Sequence, residues 1–262
     1  MSEVLRVERS GAVARVILTR PEVRNTFNAE LIEALRNTFE HLRGEPSSRL
    51  RAVVLSGEGK AFCAGADIEW QLNARDLPMK ENEADVRRLQ EMLATIDNCP
   101  VPVVAAVHGA ALGGGMALCC VADITLATAD TIFGFTEVKL GLIPAAISPF
   151  VLPRIGEGPA RALFLTGERF GSERALRIGV VSEVLPDRAA LDSRVTAILN
   201  EIGTAAPESV RNAKTMIRGQ RNMSRGDALD RTKIWAARQR VSPEGQEGLC
   251  AFLEKRPPSW RE

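Results

Sequence analysis

A chain of 262 residues, 45% hydrophobic and 26% charged with a net charge of +1, is long enough to bury a large α/β core and gives no overall electrostatic case for a nucleic-acid or anionic-membrane partner. Its five cysteines (Cys63, Cys99, Cys119, Cys120 and Cys250) are odd in number and lie mostly in apolar runs, which fits buried thiols in a reducing compartment rather than a disulfide framework. "MSEVLRVERSG" has no apolar signal core, and no later run approaches the ~20 apolar residues of a membrane span, so the expectation is a soluble, cytoplasmic protein.

In chain order, "VARVILTRP" alternates and stops at Pro21 as a strand does, and Asn28 then caps "AELIEALRNTFEHL", whose apolar residues recur at helical spacing. "RAVVLSGEG" repeats the strand pattern, "VRRLQEMLATI" the helical one, and the continuous apolar run "VPVVAAVHG" is expected as a buried strand. The glycines of "HGAALGGGMALCC" open a short apolar helix at about Gly114, and "DITLAT" and "TIFGF" follow as strands. Alternation of strand and helix continues to "IGVVSEVL" and defines an α/β core covered on both faces. Beyond about Asp187 only helical patterns remain, with breaks expected at Pro207, Gly226 and Pro243. Nine Lys or Arg between Arg211 and Arg240 accompany only Asp227 and Asp230, a run that reads as the solvated face of helices or as an anion-binding surface.

Familiar motifs are absent. "SGEGKAFC" lacks the spacing and hydroxyl residue of a phosphate-binding P-loop, the triple glycine does not fit G-x-G-x-x-G, and there is no G-x-S-x-G. His41 and His108 are the only histidines and no paired cysteine motif accompanies them, so no metal site is expected. Chemistry is left to backbone amides and carboxylates. At Gly114 a helix begins directly after a buried strand, which places unpaired amides where negative charge can develop; the same glycines also suit a tight turn packed closely on the core. "GKAFCAGADI" forms a second small-residue turn, with Asp67 able to cap the helix that follows. Glu137, between "TIFGF" and an apolar run, is either a desolvated general acid or base or an exposed carboxylate paired with Lys139 or Arg154.

The strings "RPEVRNTFN", "GKAFCAGADI", "HGAALGGG", "FGFTEVKLGLIP", "LTGERF", "GVVSEVL" and "FLEKRPP", in this order and spacing, resemble the enoyl-CoA hydratase/isomerase (crotonase) superfamily over nearly the whole chain. The resemblance implies an α/β spiral of repeated ββα units over residues 1–198 that carries the acyl-CoA site. It implies a helical oligomerisation region over 199–262, forming a homotrimer or a hexamer of two trimers. The thioester carbonyl would be held by the amides of Ala64 and Gly114, with Glu137 as the catalytic carboxylate. Adenine would lie by Ala66, Asp67 and Ile68; CoA phosphates would meet Arg24 and, from the same or a neighbouring chain, Lys255 beside Phe252; Trp70 would face the acyl tail. Coenzyme A is part of the substrate, so no separate cofactor is implied.

Typical hydratases of this superfamily place a first glutamate three residues after the second oxyanion glycine. Here that residue is Ala117, which resembles the one-carboxylate Δ3,Δ2-enoyl-CoA isomerases and leaves room for substrate bulk. "TEVKLGLIPAAISPFVL" instead resembles bacterial methylglutaconyl-CoA and isohexenylglutaconyl-CoA hydratases of leucine and acyclic terpene breakdown. The expected activity is therefore hydration of a branched enoyl-CoA, with double-bond isomerisation as the alternative and noncatalytic acyl-CoA or RNA binding as a third reading.

Overall fold

The computed structural model describes residues 4–261, so Met1 to Glu3 of the amino-terminal stretch and Glu262 of the 199–262 region lie outside it. The chain runs β1 (Leu5–Ser10), β2 (Val13–Leu18), α1 (Ala29–Arg43), β3 (Ala52–Gly57), α2 (Ile68–Asn73), α3 (Met79–Asp97), β4 (Val103–Val107), β5 (Ala110–Leu112), α4 (Gly114–Val121), β6 (Ile124–Thr128) and β7 (Ile132–Gly134). It continues with α5 (Ser148–Ile155), α6 (Glu157–Thr166), β8 (Arg169–Gly171), α7 (Ser172–Arg177), β9 (Glu183–Leu185), α8 (Arg188–Thr204), α9 (Pro207–Gly219), α10 (Arg225–Val241) and α11 (Pro243–Glu254).

The main sheet has the order β1-β2-β3-β4-β6-β9, parallel except where β1 meets β2. Alternation along its strands assigns the two cores. Val53, Leu55, Val103, Ala105 and Val107 face one large apolar cluster, while Val54, Val104, Ala106 and Leu126 face a second that includes Leu191 and Val195 of α8. β1, which the charged start of the chain hides from a sequence reading, is an antiparallel edge strand whose outer residues are mostly exposed.

A second, smaller layer is built from the short strands that follow the long ones. β5 pairs with β7 in parallel and β7 with β8 antiparallel. Single bridges from Phe27 to Ala66 and from Cys63 to Ala111 continue this layer to the earlier turns of the chain. Each turn thus adds one strand to the main sheet, a second to the small layer, and then a helix. This is the spiral of ββα units expected from the sequence, and it stacks the loops after β3, β5 and β7 beside one another.

The carboxy-terminal part is helical. α8 runs to Thr204 with Leu199 and Ile202 packed against the sheet-face cluster, so the helical extension starts at Pro207 rather than at residue 199. Breaks fall at Pro207 and Pro243, but Gly226 is not one: Ser224 caps α10 by accepting from Asp227 N, and Gly226 sits inside the first turn. The basic run from Arg211 is neither a free face nor an open anion site over its first half. Arg211 donates to Glu45 O and Leu50 O, Lys214 is buried against Asp123 at 2.6 Å, and Arg218 and Arg221 pair with Asp97 at 3.6 and 3.0 Å. Four cysteines are buried as expected, whereas Cys250 is exposed on α11. No helix among the described residues is long and apolar enough to cross a membrane.

Candidate active site

The three loops after β3, β5 and β7 meet around a cleft of about 550 Å³. Ala64, Gly65 and Ala66 come from the first, Gly113 and Gly114 from the second, and Thr136 and Glu137 from the third. Trp70 and Leu72 of α2, Val86 and Leu89 of α3, and Leu142 to Ile147 wall the rest. Asp67 starts α2 by accepting from Glu69 N at 3.0 Å, which brings Ile68 and Trp70 to the rim.

Two glycines set the geometry. Gly113 takes φ +47° and ψ −112°, and a Cβ there would stand 3.2 Å from Glu137 Oε1; Gly65 takes φ +104°, with a Cβ 3.1 Å from Leu112 O. The first loop is then pinned on both sides: Cys63 N donates to Ala110 O, Leu112 N to Cys63 O, Phe27 N to Gly65 O and Asp67 N to Phe27 O.

This pinning corrects one expectation. Ala64 N donates to Arg24 O at 3.0 Å, so that amide is already committed and is not free for a ligand. Ala66, two residues on and past the positive φ of Gly65, lines the cleft, and its amide has no internal acceptor among the described residues. Gly114 is the first residue of α4, where amides lack a helical partner, and its N–H is likewise unused. The free pair of donors is therefore Ala66 and Gly114.

Glu137 opens a short 3-10 turn, Glu137–Leu140, and is half-buried. Its Oε2 is buried with no hydrogen-bond partner among the described residues. Neither Lys139 nor Arg154 forms an ion pair with it; Arg154 Nε donates to Gly179 O at 2.9 Å instead. Burial pushes the Glu137 carboxyl above its ordinary value, partly opposed by its own backbone amide. A desolvated carboxylate with no cation paired to it, beside two free amides, can move a proton while those amides stabilise an oxyanion.

Other anticipated residues fall elsewhere. Ala117 is fully buried in the core and does not line the cleft; it sits one turn beyond Gly113, its N–H donating to Gly113 O at 3.3 Å. Asp67 is occupied as a cap and by Arg20 at 3.3 Å. Arg24 is exposed beside the cleft, in a neighbouring hollow. Phe252, 82% exposed, and Lys255, the left-handed cap of α11, are not brought to the cleft of their own chain. Asn82 and Asp85 of α3 do line it, with Asp85 held by Arg88 at 2.6 Å, although their helical pattern in the sequence signals only packing.

A sequence model described as enoyl-CoA hydratase/isomerase matches residues 8–262, and the chain belongs to that family. It is an enzyme of the enoyl-CoA hydratase/isomerase type. Among solved structures, AtuE of Pseudomonas aeruginosa superposes with a TM-score of 0.95 at 36% identity, covering 99% of this chain and 100% of its own. An enoyl-CoA hydratase from Shewanella pealeana gives 0.93 at 34%, covering 99% and 96%. A peroxisomal Delta(3,5)-Delta(2,4)-dienoyl-CoA isomerase of Arabidopsis thaliana is 29% identical over 98% of this chain and 95% of its own length.

Proposed function

We propose that this enzyme adds water to an α,β-unsaturated, branched glutaconyl-type CoA thioester. The observation that carries the reading is the half-buried Glu137, whose Oε2 has no hydrogen-bond partner among the described residues, beside the free amides of Ala66 and Gly114. Those amides hold the thioester oxygen. Glu137 takes a proton from water as the water oxygen bonds to Cβ, the electron pair moves onto the thioester oxygen, and the enolate collapses by taking the proton from Glu137 at Cα. One carboxylate suffices because one water supplies both the hydroxyl and the proton. The "TEVKLGLIPAAISPFVL" string supports the branched glutaconyl class.

The same lone carboxylate supports isomerisation as a second reading, with Glu137 carrying a proton between carbons and no water added. Incubating the enzyme with a panel of enoyl-CoA thioesters in deuterated water separates the two. Addition of D2O, fastest on branched glutaconyl thioesters, is expected; double-bond migration with deuterium exchange and no addition overturns hydration.

The enzyme is further read as a homotrimer or a dimer of trimers. Ile217 on α9, Leu229 and Val241 on α10, and Phe252 and Leu253 on α11 are exposed apolar side chains, and α10 buries no residue within its own chain. A second copy would cover them and bring Phe252 and Lys255 toward a neighbour's CoA. Light scattering is expected to give three or six times 28.4 kDa, and a monomer overturns this reading.

A further inference from the structure

The chain has two histidines, and one of them, His108, is buried between β4 and β5 at the start of the segment that ends in Gly113 and Gly114. Its side chain turns to a different loop. Nε2 stands 2.9 Å from Gly59 O, in the loop after β3, while Nδ1 is buried with no hydrogen-bond partner among the described residues. A neutral imidazole carries one proton, and these surroundings assign it to Nε2, which donates to Gly59 O. Burial favours that neutral form by pushing the imidazole below its ordinary value, opposed by the bond to Gly59 O. Arg188 lowers it further, and Asp130 and Asp192 act the other way.

From His108 onward the two loops run side by side. Phe62 N donates to His108 O at 2.9 Å, Cys63 N to Ala110 O at 3.1 Å and Leu112 N to Cys63 O at 3.0 Å. Gly109, at φ +66°, lets them close up, since a Cβ there would collide with Lys60 O. At the far end Gly65 and Gly113 touch: a Cβ on the first would stand 3.9 Å from the Cα of the second, and the reverse 3.8 Å. The next residue of each loop, Ala66 and Gly114, carries one of the two free amides. Among the described residues, the bond from His108 to Gly59 O is the one rung of this ladder made by a side chain, and so the one that a substitution can remove.

We infer that His108 is a positioning residue for the reaction: by holding Gly59 O it fixes the loop of Ala66 against the loop of Gly114, and with it the spacing of the two amides. This rests on the reading of those amides as the donors to the thioester oxygen and goes beyond it by naming the side chain that sets their separation. Preorganised donors stabilise charge only where their spacing fits the developing oxyanion. Slack between the loops therefore weakens the enolate more than the bound thioester, whose affinity is spread along the whole ligand.

The test compares wild type with His108→Gln, whose amide nitrogen reaches as far as Nε2, with His108→Leu, which has no donor, and with His108→Asn, whose donor is one bond too short. Acetoacetyl-CoA is the probe, because the ultraviolet band of its enolate reports how strongly the site stabilises negative charge on the thioester; CoA affinity and melting temperature are recorded for each protein. In the Leu and Asn variants the enolate fraction of the bound probe at fixed pH is expected to fall. Their kcat, on the enoyl thioester that wild type converts fastest, is expected to drop about tenfold or more, with KM and CoA affinity within about twofold. Gln is expected to restore both the enolate band and kcat to within about threefold of wild type. Asn serves where Leu does not fold. A folded Leu or Asn variant with the wild-type enolate fraction overturns the proposal, and so does a Gln variant as impaired as Leu, since the ring rather than its bond would then matter. Wild type that binds the probe without enolising it would overturn the oxyanion reading and this inference with it, whereas a wild-type enolate band that His108 variants leave unchanged overturns this inference alone.

Discussion

Replacing Glu137 by Gln keeps the shape of the side chain and removes its proton chemistry. Turnover is expected to fall by about a hundredfold or more with little change in CoA affinity. In the wild type, the acid limb of kcat/KM is expected above the ordinary carboxylate range, because burial raises this carboxyl. Stability carries the opposite sign. A carboxyl raised by folding holds its proton more tightly in the folded state, so its stabilisation is present below the ordinary value of 4.5 and is lost as pH rises through the folded pKa. Gln cannot ionise, so the Tm of the variant relative to wild type is expected to climb with pH across that window; a flat difference would show the carboxylate to be well solvated. Ala117 is the complementary case. Helix side chains lean toward the helix start, so Glu at 117 is directed toward Gly113 and Gly114. Ala117→Glu is expected to lower Tm, raise the acid limb further by repulsion with Glu137, and speed crotonyl-CoA hydration while slowing branched substrates. A lower Tm with an unchanged pH profile would mean that the new carboxylate stays in the core. Glu137 and Gly114 could be read from the sequence because each follows a strand and opens a turn. Choosing Ala66 over Ala64 could not, because which amide faces the cleft depends on the +104° φ of Gly65 and on a carbonyl acceptor at Arg24 far upstream.

Among the elements, α9 is fastened to the core by Arg211, by Arg218 and, at its centre, by the buried Lys214. Lys214 Nζ reaches Asp123 Oδ2 at 2.6 Å and Val101 O at 2.9 Å, and the same Oδ2 accepts from Val103 N at the start of β4. Lys214→Ala leaves the half-exposed Asp123 carboxylate with Val103 N but without its cation, and is expected to cost about 1–3 kcal/mol. Hydrogen exchange is expected to quicken in α9 to α11 before the sheet, and uniform exchange throughout the chain would show that the extension does not depend on this anchor. The strands β2, β3, β4 and β6 and the helix α1 stand where periodicity and the Asn28 cap predict them. β1 was not legible because only Leu5 is buried and Val7 to Ser10 are exposed, so no buried face marks it, as at an exposed edge. The break before α10 lies at residues 220–224 because Ser224 caps the helix, and a glycine in a capped first turn does not end it.

At the scale of the whole molecule, the spiral brings together residues that lie far apart in sequence. The order of the strands and the presence of a helical extension follow from local patterns, but the walls of the cleft do not. Asn82 and Asp85 carry no motif of their own and meet the site only through the stacking of successive turns. One buried side chain ties the first two of those turns together. Asn25, fully buried at φ 57°, accepts from Arg20 N through Oδ1 and donates through Nδ2 to Glu58 O and Ala61 O, each at 2.9 Å. Arg24, whose carbonyl holds Ala64 N, is its neighbour, so the loop that presents the free amide of Ala66 and the loop that carries Arg24 share this brace. On warming, such an arrangement has no loosened, partly working form. The temperature at which the wild-type enzyme loses half its activity is therefore expected to coincide with the temperature at which it loses half its ellipticity. Asn25→Asp sets a carboxylate against two carbonyl oxygens and should separate the two curves, with inactivation several degrees ahead of unfolding. Coincident curves in that variant would mean that the loops are held from elsewhere.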